Sequence, residues 1–167
     1  MIQKKICMLG AFAVGKTSLV AQYVHSVFSE KYLTTIGVKI DRKEVKVNDD
    51  DVSLMLWDIH GEDEFQKVRA SYLRGTAGYL LVVDPTRPDT LETVIKLHAL
   101  AESTVGSCPF LVLLNKSDIE SDWKIDPARF KELEERGWLL RKTSAKLDEN
   151  VEESFHELAS LVLQASK

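Results

Sequence analysis

Residues 10 to 17 read Gly10-Ala11-Phe12-Ala13-Val14-Gly15-Lys16-Thr17, directly behind the apolar run Ile6-Cys7-Met8-Leu9. The spacing is G-x-x-x-x-G-K-[ST]. An apolar strand that ends in such a loop and feeds a helix points several backbone N–H groups and a helix N-terminus at one spot, which suits a polyphosphate. Gly10 and Gly15 permit the tight turn and close backbone approach that a Cβ would obstruct. Lys16 supplies a point charge for β- and γ-phosphates, and Thr17 a hydroxyl for Mg²⁺. The plainer alternative is an ordinary glycine-containing strand-to-helix turn, and the other strand ends decide between the two.

Outward from this loop, strand and helix patterns alternate. Strand-like runs fall at residues 5–9, 38–47, 52–58, 79–84, 110–115 and 138–143, and helical stretches at 16–27, 64–74, 90–105, 127–136 and 151–165. Alternation predicts an α/β sheet with helices on both faces. Leu80-Leu81-Val82-Val83 and Phe110-Leu111-Val112-Leu113-Leu114 are continuously apolar, as expected of strands buried on both faces. Val45, Val47, Val52, Leu54 and Leu56 instead alternate with polar residues across Asn48-Asp49-Asp50-Asp51, which predicts an antiparallel hairpin at a sheet edge.

The 167 residues suggest one domain with a substantial core. Twenty-two basic against 26 acidic side chains leave a net charge of −4, which argues against general affinity for nucleic acid or anionic lipid. No apolar run approaches the ~20 residues of a membrane helix, and the N-terminus carries no secretory signal pattern. Cys7 and Cys108 lie far apart and read as buried thiols in a reducing compartment.

Ligands of open α/β sheets sit at the carboxyl ends of the strands, and the remaining motifs stand there. After the third strand comes Trp57-Asp58-Ile59-His60-Gly61-Glu62. Asp58 is placed to hold Mg²⁺, often through water, and Gly61 to offer an N–H to a γ-phosphate. After the fifth comes Asn115-Lys116-Ser117-Asp118. A carboxylate at Asp118 can accept both N1–H and the 2-amino group of guanine, whereas adenine would leave it unpaired, and unmatched buried polar groups discriminate strongly. Lys116 can lie along the base, and Asn115 can tie this loop to the phosphate loop. After the sixth comes Thr143-Ser144-Ala145-Lys146, where a small residue lets a backbone N–H approach guanine O6. Between the first helix and second strand, Thr35 can contribute a hydroxyl to Mg²⁺ and an N–H to a γ-phosphate. Phe28 can stack on the base, with core packing as its alternative role.

Together these segments resemble the Ras superfamily of small GTPases across essentially the whole chain. Gly37-Val38 after Thr35-Ile36, and Ser71-Tyr72-Leu73-Arg74-Gly75-Thr76-Ala77-Gly78, are most similar to the Rab branch, while Ala13 is closer to a Rho-type loop. The resemblance implies a P-loop NTPase small G domain over residues 1–167, with a six-stranded, mostly parallel sheet, one antiparallel edge strand and five helices. It implies a GTP/GDP site formed by Ala13, Val14, Gly15, Lys16, Thr17, Ser18, Phe28, Thr35, Gly61, Asn115, Lys116, Asp118, Ser144, Ala145 and Lys146. Thr17, Thr35 and Asp58 would complete the Mg²⁺ site, and Lys16, Gly61 and Glu62 would serve hydrolysis. It also implies effector docking through residues 31–38 and 61–74, with an exchange factor and an activating protein. The expected location is the cytoplasm, peripheral at membranes through partners.

The departures individualise the chain. The family usually places a glutamine where Glu62 stands, to orient the attacking water. A carboxylate can accept from that water but cannot donate to the transition state, and it brings negative charge towards a phosphoryl group. Phe12 replaces a glycine or small polar residue and would crowd the path of an arginine finger. Ile59 and His60 are also unusual, His60 reading as a surface or packing residue, and Glu62-Asp63-Glu64 is strongly acidic. The terminal Leu161-Val162-Leu163-Gln164-Ala165-Ser166-Lys167 has no cysteine for prenylation. Three functions are therefore compared: a GTP-hydrolysing switch, a GTP-loaded scaffold with negligible turnover, and a P-loop small-molecule kinase. The last is disfavoured by the base-reading motif and by the lack of an arginine-rich lid.

Overall fold

The computed structural model describes residues 1–29, 37–59 and 68–166. Its strands are β1 (Ile2–Gly10), β2 (Val38–Val47), β3 (Asp50–Ile59), β4 (Thr76–Val83), β5 (Phe110–Leu114) and β6 (Leu140–Lys142). Its helices are α1 (Lys16–His25), α2 (Ala70–Leu73), α3 (Asp89–Val105), α4 (Pro127–Glu135) and α5 (Val151–Ala165). The strands form one sheet in the order β2-β3-β1-β4-β5-β6. All pairings are parallel except β2 with β3, so β2 is the antiparallel edge strand expected from its polar alternation.

Successive side chains of a strand point to opposite faces, and β1 feeds two cores in this way. Ile6 and Met8 join Leu19, Val20 and Tyr23 of α1 and Phe155, Leu158 and Val162 of α5. Cys7 and Leu9 join Leu91, Val94 and Leu97 of α3 and Leu133 of α4. The α1–α5 layer is fastened by Tyr23 stacked on Phe155, with ring centroids 4.2 Å apart. From β1 the chain runs through α1 and β2 to β3 on one side of β1 and then crosses to β4 on the other, so the strand order reverses at β1 and its carboxyl end is where an open sheet places ligands.

Boundaries differ from the sequence-based expectations for local reasons. The first helix stops at His25 because Ser26 adopts a left-handed conformation, φ 53°, and its N–H caps the Gln22 carbonyl. Of the helix expected over 64–74, the described residues are helical only at Ala70–Leu73. The hairpin turns at Asn48, φ 56°, so β3 begins at Asp50, earlier than the acidic run suggested. A 3-10 helix, Ser117–Asp122, follows β5 and was not expected from the pattern. Cys7 is buried, whereas Cys108 is only half-buried, at the mouth of β5. Burial is the main force raising both thiol pKa values, that of Cys108 to about 11.

Candidate functional site: a phosphate loop joined to a base loop

The loop after β1 takes up left-handed backbone at Ala13, φ 66°, and at Gly15, φ 106°. Gly15 is the N-cap of α1 and, as a glycine, brings no capping side chain of its own. A helix N-terminus that follows a strand's carboxyl end in this way is an arrangement that attracts anions. The two motif glycines do different work. A Cβ on Gly15 would lie 2.3 Å from Asn115 Nδ2. A Cβ on Gly10 would lie 2.6 Å from the Val82 carbonyl of β4, so Gly10 serves strand packing rather than approach to a phosphate.

Lys16 is 5 % exposed and its ammonium donates to the Ala11 carbonyl at 3.1 Å and the Gly10 carbonyl at 3.5 Å. Burial lowers its pKa to about 8, with Asp58 pulling it up and Arg87 pushing it further down. A buried ammonium whose hydrogen bonds among the described residues go to carbonyls has a charge that polyphosphate oxygens would compensate. Beside it, the Thr17 hydroxyl donates to Asp58 Oδ2 at 2.6 Å. The β1–β3 register, which pairs Met8 with Asp58, carries that carboxylate to the phosphate loop. A hydroxyl and a carboxylate converging at one point are hard oxygen donors of the type Mg²⁺ takes. Thr35, Gly61 and Glu62, the other residues assigned to metal and hydrolysis, lie outside the described residues, as do His60 and, of the segments assigned to effectors, residues 31–36 and 61–67.

The base loop is locked from several sides. Asn115 donates to the Val14 carbonyl at 3.0 Å and accepts from the Thr143 hydroxyl at 3.2 Å. Lys116 adopts left-handed backbone, φ 66°, and the Trp123 indole donates to its carbonyl at 3.1 Å. Ser144 Oγ donates to Asp118 Oδ1 at 2.8 Å, and Ser144 N is engaged by the Glu149 carbonyl at 3.1 Å. The backbone N–H that meets a base carbonyl is therefore not that of Ser144. The Ala145 carbonyl is fixed by Gln22 Nε2 at 2.7 Å, joining this loop to α1. Ser18 lies in the first turn of α1. Phe28 is 37 % exposed and, among the described residues, belongs to neither core.

Sequence reading missed Asp84, Thr86 and Arg87, which follow β4. Asp84 is buried and gathers Lys116 Nζ at 2.7 Å, Arg87 Nε at 3.1 Å and the Thr86 hydroxyl at 2.7 Å. Burial alone would raise its pKa, but hydrogen bonds from Lys116 and Thr86 and the Lys116 charge hold it below the usual carboxylate value. Their position at a strand's carboxyl end was the available signal. An open cleft of about 670 Å³ lies on the outer side of these residues, lined by Thr86, Arg87, Ile119, Trp123 and Lys124 but by no phosphate-loop residue.

A doubly wound sheet with a phosphate loop after its first strand defines a P-loop nucleotide-binding protein. The pattern of the Ras family matches residues 5–164, and the chain belongs to that family of small GTPases, on its Rab-like branch. It is 35 % identical to Ras-related protein Rab-7b of Mus musculus, over 97 % of this chain and 83 % of that protein. It is 36 % identical to the Ypt/Rab-type GTPase ypt7 of Schizosaccharomyces pombe, over 96 % and 82 % respectively. It is 31 % identical to Ras-related protein Rab-2B of Dictyostelium discoideum, over 96 % and 80 %.

Proposed function

We propose that residues 1–167 act as one G domain that binds GTP and GDP with Mg²⁺, hydrolyses GTP slowly, and recruits effectors in the GTP form. The observation that supports this best is the Asn115–Val14 bond, which sets the Asp118 carboxylate and the phosphate loop in one crevice. In this reading Asp118 pairs with guanine N1–H and its 2-amino group, and Lys116 lies along the ring. Phe28 covers the base, and the amide of Ala145 or Lys146 meets O6. The N–H groups of residues 13–18 and the Lys16 ammonium bind the phosphates. Thr17, Asp58 and Thr35 would hold Mg²⁺, which when bound offsets charge on the β- and γ-phosphate oxygens. Gly61 would bind the γ-phosphate through its N–H, and Glu62 would accept from the attacking water.

Effectors would dock on residues 31–38 and 61–74, extended by the adjoining β2–β3 surface. There Ile40 is 46 % exposed and pairs in register with Trp57, under the Lys5 ammonium at 3.6 Å from its ring. Among the described residues no helix is long and apolar enough to cross a membrane. A cytoplasmic protein that meets membranes through partners is the reading we adopt. Phe12 and Glu62 favour one alternative, a GTP-loaded scaffold with negligible turnover.

The test is a competition titration of fluorescent GDP against GTP and ATP, with Mg²⁺ and with EDTA. GTP should compete at equimolar levels, ATP should not compete at hundredfold excess, and EDTA should weaken GTP more than GDP. Equal competition by ATP would overturn the base-site assignment. Identification of the nucleotide that co-purifies distinguishes the two turnover readings: retained GDP supports hydrolysis and retained GTP the scaffold.

A further inference from the structure

Two carbonyl groups of the phosphate loop are held by side chains from other loops. Val14 O is held by Asn115, from the base loop. Phe12 O is held by Arg87 Nη2 at 2.9 Å, from the loop after β4. The second hold leads back to the base loop, because the same guanidinium donates through Nε to Asp84 Oδ2 at 3.1 Å. That oxygen also accepts from Lys116 Nζ at 2.7 Å.

We propose that Asp84 and Arg87 are positioning residues that couple the base loop to the phosphate loop, and so control how fast nucleotide leaves the site. The proposal rests on the nucleotide-site reading above and adds a route of communication to it. Asp84 suits the role because its side chain is 1 % exposed and one oxygen faces two cations. Its other oxygen is fixed by the Thr86 N–H at 3.0 Å and the Thr86 hydroxyl at 2.7 Å, so the carboxylate cannot turn away from either cation without losing these bonds. The backbone behind it is pinned by Thr90, whose hydroxyl bridges Asp84 N and Asp84 O at 3.0 and 2.9 Å. Arg87 suits it because a planar fork can serve a carboxylate and a carbonyl at once, which a lysine's single ammonium does less well. When a base engages Lys116, the position of that ammonium is reported to Asp84, from Asp84 to Arg87, and from Arg87 to the turn that aims the phosphate-binding N–H groups. Phe12 enters through its backbone, so the link is independent of its unusual side chain.

The test measures release of fluorescent GDP in excess unlabelled GDP from the wild-type chain, Arg87→Ala, Arg87→Lys, Asp84→Asn and the double variant Asp84→Asn/Arg87→Ala, with a thermal melt of each. Arg87→Ala should speed release on the order of tenfold, since a charge-assisted bond to the loop is lost. Arg87→Lys should recover only part of that. The double variant should release more slowly than the product of the single effects, because both changes cut one link. Arg87 is partly exposed, so its variants report even where Asp84→Asn fails to fold. Release from Arg87→Ala within twofold of wild type, or single effects that multiply in the double variant, would overturn the coupling. A wild-type chain that does not bind GDP at all would overturn the site reading itself, and the coupling with it.

Discussion

The side-chain amide of Asn115 donates to the Val14 carbonyl across 3.0 Å, and a Cβ on Gly15 would sit 2.3 Å from that same amide nitrogen. The glycine is therefore demanded by a tertiary contact as well as by its backbone, at φ 106°. Gly15→Ala should break the bond and add the left-handed cost of about 1–2 kcal/mol. GDP affinity should fall at least on the order of tenfold, and the nucleotide-free melting temperature should drop. Asn115→Ala, which removes the amide without backbone strain, should weaken binding while lowering stability less. A Gly15→Ala variant that titrates with GDP like wild type would show that the loop tolerates the shift.

Lys16 gives a pH signature. Its pKa is about 8 in the fold against 10.5 in the open chain, lowered chiefly by burial. Between these values the unfolded chain binds more protons, so this group's contribution to stability grows as pH rises from 8 to 10.5 and is lost as pH falls through 8. Below that the buried charge costs the nucleotide-free fold about 3 kcal/mol. Lys16→Met should therefore raise the nucleotide-free melting temperature at pH near neutrality, flatten its rise above pH 8, and abolish triphosphate binding. Wild-type nucleotide binding near pH 9 should take up protons, measurable by calorimetry in buffers of different ionisation enthalpy. A Lys16→Met chain that melts below wild type at neutral pH would contradict the burial cost.

Base selectivity should rest on Asp118, which Ser144 orients at 2.8 Å. Asp118→Asn should weaken GTP binding by about 1.5–3 kcal/mol, the range for hydrogen bonds to a charged group. Preference should shift towards xanthine, which carries a carbonyl where guanine has its amino group. Competition between GTP and XTP checks this, and an unchanged GTP-to-XTP ratio would remove Asp118 from the base site.

Turnover tests Phe12 and Glu62. The Phe12 carbonyl is fixed by Arg87 while its side chain stays 39 % exposed at the rim of the phosphate loop. An arginine supplied by an activator contributes about 10³ to 10⁵ in rate where it operates, and the ring would obstruct its approach. Slow basal hydrolysis and a poor response to an activator of the usual geometry are expected. Phe12→Gly should raise the activated rate and Glu62→Gln the basal and activated rates, in single-turnover assays. Fast hydrolysis by the wild-type chain alone would make Glu62 an effective water-orienting base and reverse its assignment as a handicap.

The sequence by itself determined the order of elements and the residues at each strand end. Apolar runs and the glycine-lysine-threonine spacing are local signals, and an open α/β sheet has only one edge at which strand-end motifs can meet. The amphipathic pattern of 38–47 was enough to place an edge strand. Tertiary structure alone decided how the loops hold one another. Gly10 is glycine because β4 passes 2.6 Å from where its Cβ would be, and Ser144 cannot offer its N–H because Glu149 has it. Asp84 joins Lys116, 32 positions away, and Arg87 reaches Phe12, 75 positions away. No periodicity records such pairings, because a side-chain bond depends on where folded loops converge and not on the spacing of residues along the chain.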